Sequence, residues 1–358
     1  MVTMEDIATL AGISQPAVSA ALNGNSKVRV SAATREKVLK IAKELNYVPN
    51  VAAQMLAGGD TNTVGILATP TGGLQGDLLN QIFAILTEKN YKVLLTAYSW
   101  PTFSSASAIS EIIARGIKGI IILDWNSEDK IKAFSEYPIV KIGNDKKHSD
   151  VSVDLYAAGL LATSHLLNHG HKKVHLVRVN SNVDNERTSG WQQAHKNLGI
   201  EISSDDIIDL RNIGGLASNL LKELKTKQVT ALFCHNDYIA LKVMQVCLEN
   251  NIRVPEDIAI IGCDGRSFTQ SSPIGISTII TPVRPVAQAA VDLLLKKIAS
   301  PKEKFTEKKL IQPLLFPSGS CGCQNKKVEQ LYTVNTMETI ETDYRINFKT
   351  ELFDQNNE

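Results

Sequence analysis

Two groups of residues in this chain have types and spacings that suit chemistry. Cys321 and Cys323, separated only by Gly322, put two thiols within reach of one soft metal ion. Two thiolates do not fill a tetrahedral zinc site, and no second Cys or His cluster adjoins them along the sequence, so the expectation is no metal and no other cofactor. The second group is basic: Lys27, Arg29, Arg35, Lys37, Lys40 and Lys43 stand against one acid, Glu36. That density suits a phosphate-facing surface and equally a solvated helix face. The chain contains no HExxH, no phosphate-binding P-loop and no Gly-x-Ser-x-Gly elbow, so no enzymatic reaction is expected.

The elements that must position such residues are bounded first by size. At 358 residues the chain exceeds the length at which one hydrophobic core keeps growing, so two or three folding units are expected. A formal net charge of +1 gives no bulk support for a nucleic-acid partner, leaving only the local basic group. Five cysteines, an odd number spread over Cys234, Cys247, Cys263, Cys321 and Cys323, suit reduced thiols better than a disulfide framework. No secretion signal opens the chain and no apolar run reaches membrane-spanning length, so a cytoplasmic protein without a membrane partner is expected.

The opening segment reads as three short helices. Thr3 and Asp6 have capping-box spacing, Ile7, Leu10 and Ala11 give an apolar face, and Gly12 is a natural stop. Ser14 can cap a second helix with Pro16 in its first turn and Val18 and Leu22 buried, ended by Asn23 and Gly24. A third starts near Ser31, carries Val38, Ile41, Ala42 and Leu45 on one face, and ends before Tyr47 and Pro49. Residues 50–57 can form two further turns, too few to persist in water unaided.

From Thr63 the texture changes to apolar runs (Val64 to Ala68, Val93 to Ala97, Gly119 to Leu123, Ile139 to Ile142) alternating with amphipathic stretches, and the rhythm repeats from Leu155 to Gly262. Such βαβ alternation predicts two doubly wound units with parallel sheets covered on both faces. A strand at Ile276 to Ile280, a helix at Val286 to Ile298 and a strand at Leu310 to Phe316 remain. If these return to the first unit and cross again, the lobes share connecting segments and can hinge. Beyond Gln324, seven acids outnumber four bases and the periodicity disappears, which predicts a poorly ordered tail.

The run Met4-Glu-Asp-Ile-Ala-Thr-Leu-Ala-Gly-Ile-Ser-Gln-Pro-Ala-Val-Ser-Ala-Ala-Leu-Asn-Gly24 resembles the DNA-binding head of the lac repressor (LacI) family. The match continues through Ser31, Thr34-Arg35, Val38, Tyr47-Val48-Pro49-Asn50 and Ala52-Ala53-Gln54-Met55-Leu56. It implies a homodimeric transcriptional regulator, a repressor in its ordinary mode, bound to a near-palindromic operator in double-stranded DNA. Ser14, Gln15, Pro16, Ser19, Ala20 and Asn23 would then belong to the major-groove helix, with Gln15, Pro16 and Ala20 on its exposed side. Tyr47, Asn50, Ala53 and Leu56 would belong to the DNA-facing hinge, Leu56 as a minor-groove wedge. Ala17 and Ala20 depart from residues common in the family, so the resemblance does not fix the operator sequence.

A looser resemblance spans Thr63 to Cys323. It is carried by Asp154 with Ala158-Gly159, Gly170-His171-Lys172-Lys173-Val174, Arg187 with Gly190-Trp191, Asn236-Asp237, Val254-Pro255-Glu256-Asp257-Ile258 and Gly262-Cys263-Asp264. It implies effector contacts at Arg187, Asn236 and Asp264, with Trp125 and Asn144 contributing from the first lobe, around a small polar, sugar-like molecule. The implied organisation is an α/β protein: a small all-α helix-turn-helix head (1–48), a hinge (49–60), a two-lobed, doubly wound core of the periplasmic-binding-protein type (61–325) and a polar tail (326–358). Lobe 1 is placed at 61–153 plus 282–304 and lobe 2 at 154–281 plus 305–325. The competing reading is a periplasmic-type sugar receptor without DNA function, against which the first sixty residues and the missing secretion signal count. An enzyme on the same lobes is a more distant third.

Overall fold

A computed structural model describes residues 2–23, 28–48, 61–69, 73–97, 105–123, 134–179, 185–210, 216–272 and 274–323. The expected hinge helix, Asn50, Ala53, Leu56, Trp125 and the tail lie outside these residues, as does the side chain of Asn23. The chain divides into two compact units, Met1–Asn62 and Thr63–Glu358.

The first unit packs α1 (Met4–Ala11), α2 (Gln15–Asn23) and α3 (Ala32–Glu44) around Ile7, Ala8, Ala11, Val18, Ala21 and Val38. Its local signals act as their chemistry dictates. The Thr3 hydroxyl accepts from the Asp6 amide at 3.3 Å while the Thr3 amide donates to Asp6 Oδ2 at 2.8 Å, a reciprocal cap. Gly12, at φ 68°, ends α1 in the left-handed region and turns the chain into α2.

The second unit contains two six-stranded sheets. The first is ordered β11-β5-β4-β3-β1-β2, from Thr63–Ala68 (β1), Lys92–Ala97 (β2), Ile120–Leu123 (β3), Ile139–Ile142 (β4), Val151–Val153 (β5) and Lys309–Ile311 (β11). The second is ordered β12-β10-β9-β8-β6-β7, from His175–Arg178 (β6), Ile207–Asp209 (β7), Ala231–Cys234 (β8), Ala259–Asp264 (β9), Ser277–Ile280 (β10) and Leu314–Phe316 (β12). Every pairing is parallel except that of β12 with β10.

Parallel strands joined by helical crossovers are buried on both faces, which accounts for their unbroken apolar runs. In β3, Ile121 and Leu123 face α4 (Leu74–Glu88), whereas Ile120 and Ile122 face α5 (Ser105–Ile113). Each such isoleucine, fully removed from water, contributes about 1.5–3 kcal/mol. The second sheet lies between α6 (Leu155–Asn168) with α7 (Asn185–Asn197) on one face and α8 (Leu216–Lys227) with α9 (Asp237–Glu249) on the other.

Among the described residues the chain passes between the lobes at three places. At Asp154 it leaves β5 for α6, at Thr281 and Pro282 it leaves β10 for α10 (Val283–Ala299) on the first sheet, and at Gln312-Pro313 it passes from β11 to β12. The last crossing corrects an expected boundary. Residues 305–311 do not belong to the second lobe, because Lys309–Ile311 extends the first sheet beside β5. The expected single strand from Leu310 to Phe316 is accordingly two strands on different sheets, interrupted at Pro313, which has no amide hydrogen for a ladder.

Candidate functional site

In the head, Ser14, Gln15 and Pro16 are exposed at the start of α2 and Ser19 is half-buried. At 100° per residue, Gln15, Ser19 and Pro16 occupy one arc of the helix, as groove-facing residues must. Ala20 is a correction. It is only 6% exposed, although the same 100° count places it nearer to Pro16 than to Val18 or Ala21, so packing rather than helix phase covers it. Tyr47 is half-buried against the head's core, and burial raises its phenol pKa.

Arg29, Arg35, Lys37, Lys40 and Lys43 are all exposed, but the four on α3 fan over about half its circumference rather than forming a narrow stripe. Lys37 has a local role: its ammonium donates to the Ala11 carbonyl at 2.9 Å, against the negative end of α1.

In the core, Arg187 and Asp264 come together although 77 residues separate them: Arg187 Nη2 lies 3.3 Å from Asp264 Oδ1. Both are largely enclosed, with side chains 9% and 20% exposed. What fixes Arg187 is the close approach of α6 to α7. A Cβ on Gly159 would sit 2.1 Å from the Arg187 carbonyl oxygen, and one on Gly190 would sit 2.1 Å from that of Tyr156, so backbone meets backbone at both glycines. Asp264 ends β9 with φ 121°, a conformation that side chains rarely adopt and that the structure must hold from outside.

That hold comes from Asp237, a residue not singled out for function in the sequence. Its Oδ1 accepts from Thr278 Oγ1 at 2.6 Å and its Oδ2 from the Arg266 amide at 2.7 Å, fastening the turn after Asp264. Burial raises its pKa above the usual carboxylate value, and the hydrogen bonds to the Arg266 amide and Thr278 oppose that rise. Asn236 is committed locally as well: its Oδ1 accepts from the Ile239 amide at 2.9 Å and caps α9. Asn144 lies half-buried in the bend after β4, on the first lobe.

Among the described residues two ion pairs span the lobes, and sequence pattern offered no signal for either. Arg266 Nη1 meets Asp77 Oδ2 of α4 at 2.5 Å. Lys146 Nζ, just after β4, lies 3.2 Å from Glu186 Oε2 on α7 and 3.0 Å from Asp154 Oδ1 at the first crossing. Burial pulls the Lys146 pKa down, but the hydrogen bonds to Asp154 and Glu186 more than reverse this and the net shift is upward. Charged groups of the two lobes therefore meet at Asp77 with Arg266 and at Lys146 with Glu186.

The expectation that Cys321 and Cys323 have no companions is also corrected. His165 and His169 of α6 converge on them, and one donor atom from each of the four residues lies within 4.8 Å of the others. The sequence hid this because more than 150 residues separate the histidines from the cysteines.

Residues 3–50 match the family model for bacterial regulatory proteins of the lacI family, and residues 163–321 match a periplasmic binding protein-like domain. The chain is 28% identical over 329 residues to the HTH-type transcriptional repressor PurR of Vibrio parahaemolyticus, an alignment covering 87% of this chain and 96% of the relative. A PurR of Vibrio cholerae is likewise 28% identical, with 87% and 95% covered. Among solved structures, the lac repressor dimer bound to operator and the anti-inducer ONPF superposes with a TM-score of 0.77 at 23% identity, over 89% of this chain and 99% of that one. The transcriptional regulator CelR in complex with cellobiose superposes with a TM-score of 0.63 at 22% identity, over 89% and 100%.

Proposed function

Because the chain belongs to the lac repressor family and is a DNA-binding transcriptional repressor with a ligand-binding core, we propose that its operator affinity is set by a small, hydroxyl-rich effector held between the two lobes. The observation that carries this reading is the enclosed Arg187–Asp264 pair at the carboxyl end of β9. A carboxylate accepts from hydroxyls and a guanidinium donates to hydroxyl or carboxylate oxygens, so a sugar or sugar acid inserted there replaces the pair's mutual contact with contacts of its own. That a neighbour of the same fold was solved with cellobiose supports this choice of ligand class.

On this reading the effector favours one angle between lobes that are joined at three crossings, and paired heads in a homodimer feel the change as a shift in the spacing of their hinges. Gln15 reads an adenine edge and Leu56 wedges the minor groove at the centre of a near-palindromic operator. The coupling expected is about 1–3 kcal/mol, or roughly 5- to 150-fold in operator affinity, and linkage requires it to be reciprocal.

The test is a thermal-shift screen of sugars and sugar acids, followed by calorimetry on the best ligand with and without operator DNA. Effector affinity should differ between the two titrations by the same factor by which effector changes operator affinity. Asp264→Asn, which keeps the side chain's shape, should lose the effector response while the unliganded protein still binds operator. Equal effector affinity with and without DNA would overturn the allosteric reading.

A further inference from the structure

The second lobe contains a cluster of metal-ligating side chains that neither DNA reading nor effector binding uses. His165 lies on the last turn of α6 and His169, four residues on, caps the helix C-terminus on the same side. Opposite them, residues Gly319–Cys321 form a short 3-10 turn ended by Gly322 at φ 84°, a left-handed conformation that reverses the chain and brings the sulfurs of Cys321 and Cys323 to the same point. His165 Nε2 lies 3.2 Å from Cys321 Sγ and 3.6 Å from Cys323 Sγ, and His169 Nε2 lies 3.4 Å from Cys323 Sγ.

We propose that His165, His169, Cys321 and Cys323 form a tetrahedral site for one zinc ion, which staples the end of the second lobe to α6. In a Cys2His2 site with zinc–sulfur bonds of about 2.3 Å and zinc–nitrogen bonds of about 2.0–2.1 Å, the tetrahedron's edges run from roughly 3.3 to 3.8 Å. All three separations above are nitrogen–sulfur pairs, whose edge is about 3.5–3.6 Å; two lie within about 0.2 Å of it and the His165–Cys321 pair is about 0.3 Å shorter, so side-chain rotations of a few tenths of an ångström, and the closing of the widest pair from within 4.8 Å, complete the tetrahedron. Cys321 Sγ donates to the Ser318 carbonyl at 3.3 Å, so its proton is not available to either imidazole. A thiol has one proton to give, yet Cys323 Sγ stands against both imidazole nitrogens and His165 Nε2 stands against both sulfurs.

Charge also balances. Two thiols each release a proton to solvent as the ion binds, and two thiolates with two neutral imidazoles leave the complex with no net charge, which suits a place where Cys321 and His165 are buried. His169 is exposed and Cys323 half-buried, so an ion reaches the ligands without the lobe opening.

The staple has a definite load. Ser320, in the same turn, accepts from the Ser277 amide at 2.8 Å and donates to the Ile260 carbonyl at 2.6 Å, tying the turn to β9 and β10. Metal ligation on the other side of the turn fixes it to α6 as well, cross-linking positions 156 residues apart.

The experiment uses the reduced full-length chain, without a polyhistidine tag, from zinc-replete cells. Elemental analysis after exhaustive dialysis should find one zinc per chain. After chelator stripping, titration with cobalt(II) chloride should give the visible bands of tetrahedral cobalt together with thiolate-to-cobalt charge transfer. Cys323→Ser and His169→Gln, both at accessible positions, should lose stoichiometric zinc and the charge-transfer band, whereas His148→Gln on the first lobe should keep both. Stripping should lower the melting temperature by on the order of 10 °C and zinc chloride should restore it. Folded protein that takes up neither zinc nor cobalt, or Cys323→Ser and His169→Gln proteins that bind as the wild type does, would overturn the assignment.

Discussion

The two lobes share one strand order and differ in what fills them. The first encloses almost only aliphatic side chains: Val64, Ile66, Ile82, Ile85, Ile121 and their neighbours pack as interchangeable shapes. The second buries His165, His175, His195, Arg187, Asp206, Asp237, Ser277, Thr278 and Ser320 beside its apolar core. One network shows the consequence. Trp191 Nε1 donates to the Val174 carbonyl at 2.7 Å, and the Val174 amide donates to His195 Nε2 at 3.1 Å. His195 Nδ1 therefore carries the proton and donates to the Trp191 carbonyl at 2.9 Å. An aliphatic core tolerates repacking, whereas a satisfied polar network admits one arrangement, and the side chains placed most firmly for function, Arg187 and Asp264, belong to the lobe built the second way.

The largest effect that separates the lobes should come from paired glycine substitutions. Gly159→Ala drives a methyl into the Arg187 backbone, which cannot yield without moving α7, so a loss of about 4 kcal/mol or more is expected. Gly65→Ala in the first lobe meets Ile117 Cδ1 at 2.8 Å, a chain end that can rotate away, and Ile112 Cγ2 at 2.6 Å, a branch methyl that yields only by a shift of its helix; with no backbone in the way it should cost about 1–3 kcal/mol. Urea unfolding of both variants measures this, and equal losses would erase the distinction. Next in size, Trp191→Phe leaves the buried Val174 carbonyl without its donor and should cost about 1–3 kcal/mol. Ile82→Val, deleting one methylene in the first lobe, should cost about 0.5–1.5 kcal/mol. A Trp191→Phe protein as stable as Ile82→Val would show that the network adds nothing beyond apolar burial.

Acid should sharpen the contrast further. Burial lowers the pKa values of His175 and His195 below the ordinary 6.5, so the folded lobe keeps them neutral while the unfolded chain takes up protons. Their contribution is fully present above about pH 6.5 and declines as pH falls toward the folded values, at up to about 1.4 kcal/mol per pH unit for each histidine. The first lobe's histidine, His148, is exposed. Hydrogen exchange compared at pH 7 and pH 5 should therefore show protection lost first in segments 155–178 and 185–197, and uniform loss across both lobes would contradict this. The smallest effect is expected at the lobe boundary. Arg266→Ala removes the pair with the exposed carboxylate of Asp77 but leaves the Arg266 amide on Asp237, so stability should fall by about 1 kcal/mol or less. A loss as large as that of Gly159→Ala would mean that the lobes are held to each other as firmly as each is held within itself.

What the sequence determined by itself was what depends on neighbours along the chain. Thr3 with Asp6, Gly12 at the end of α1, the exposed Ser14, Gln15 and Pro16, and the alternation of apolar runs with amphipathic stretches are local patterns, and local geometry realises them. Tertiary structure decided whatever depends on convergence. That Ala20 is buried, that Lys309–Ile311 joins the first sheet, that Asp237 supports Asp264, and that Arg266 reaches Asp77 across 189 positions follow from which surfaces pack together. The cysteine pair is the sharpest case. Read along the chain, Cys321 and Cys323 are two ligands short of a site, because one-dimensional spacing cannot show that a helix ending more than 150 residues earlier presents two imidazoles to them. Periodicity encodes which face of an element is apolar; which polar groups meet behind those faces is set by the packing of the faces themselves.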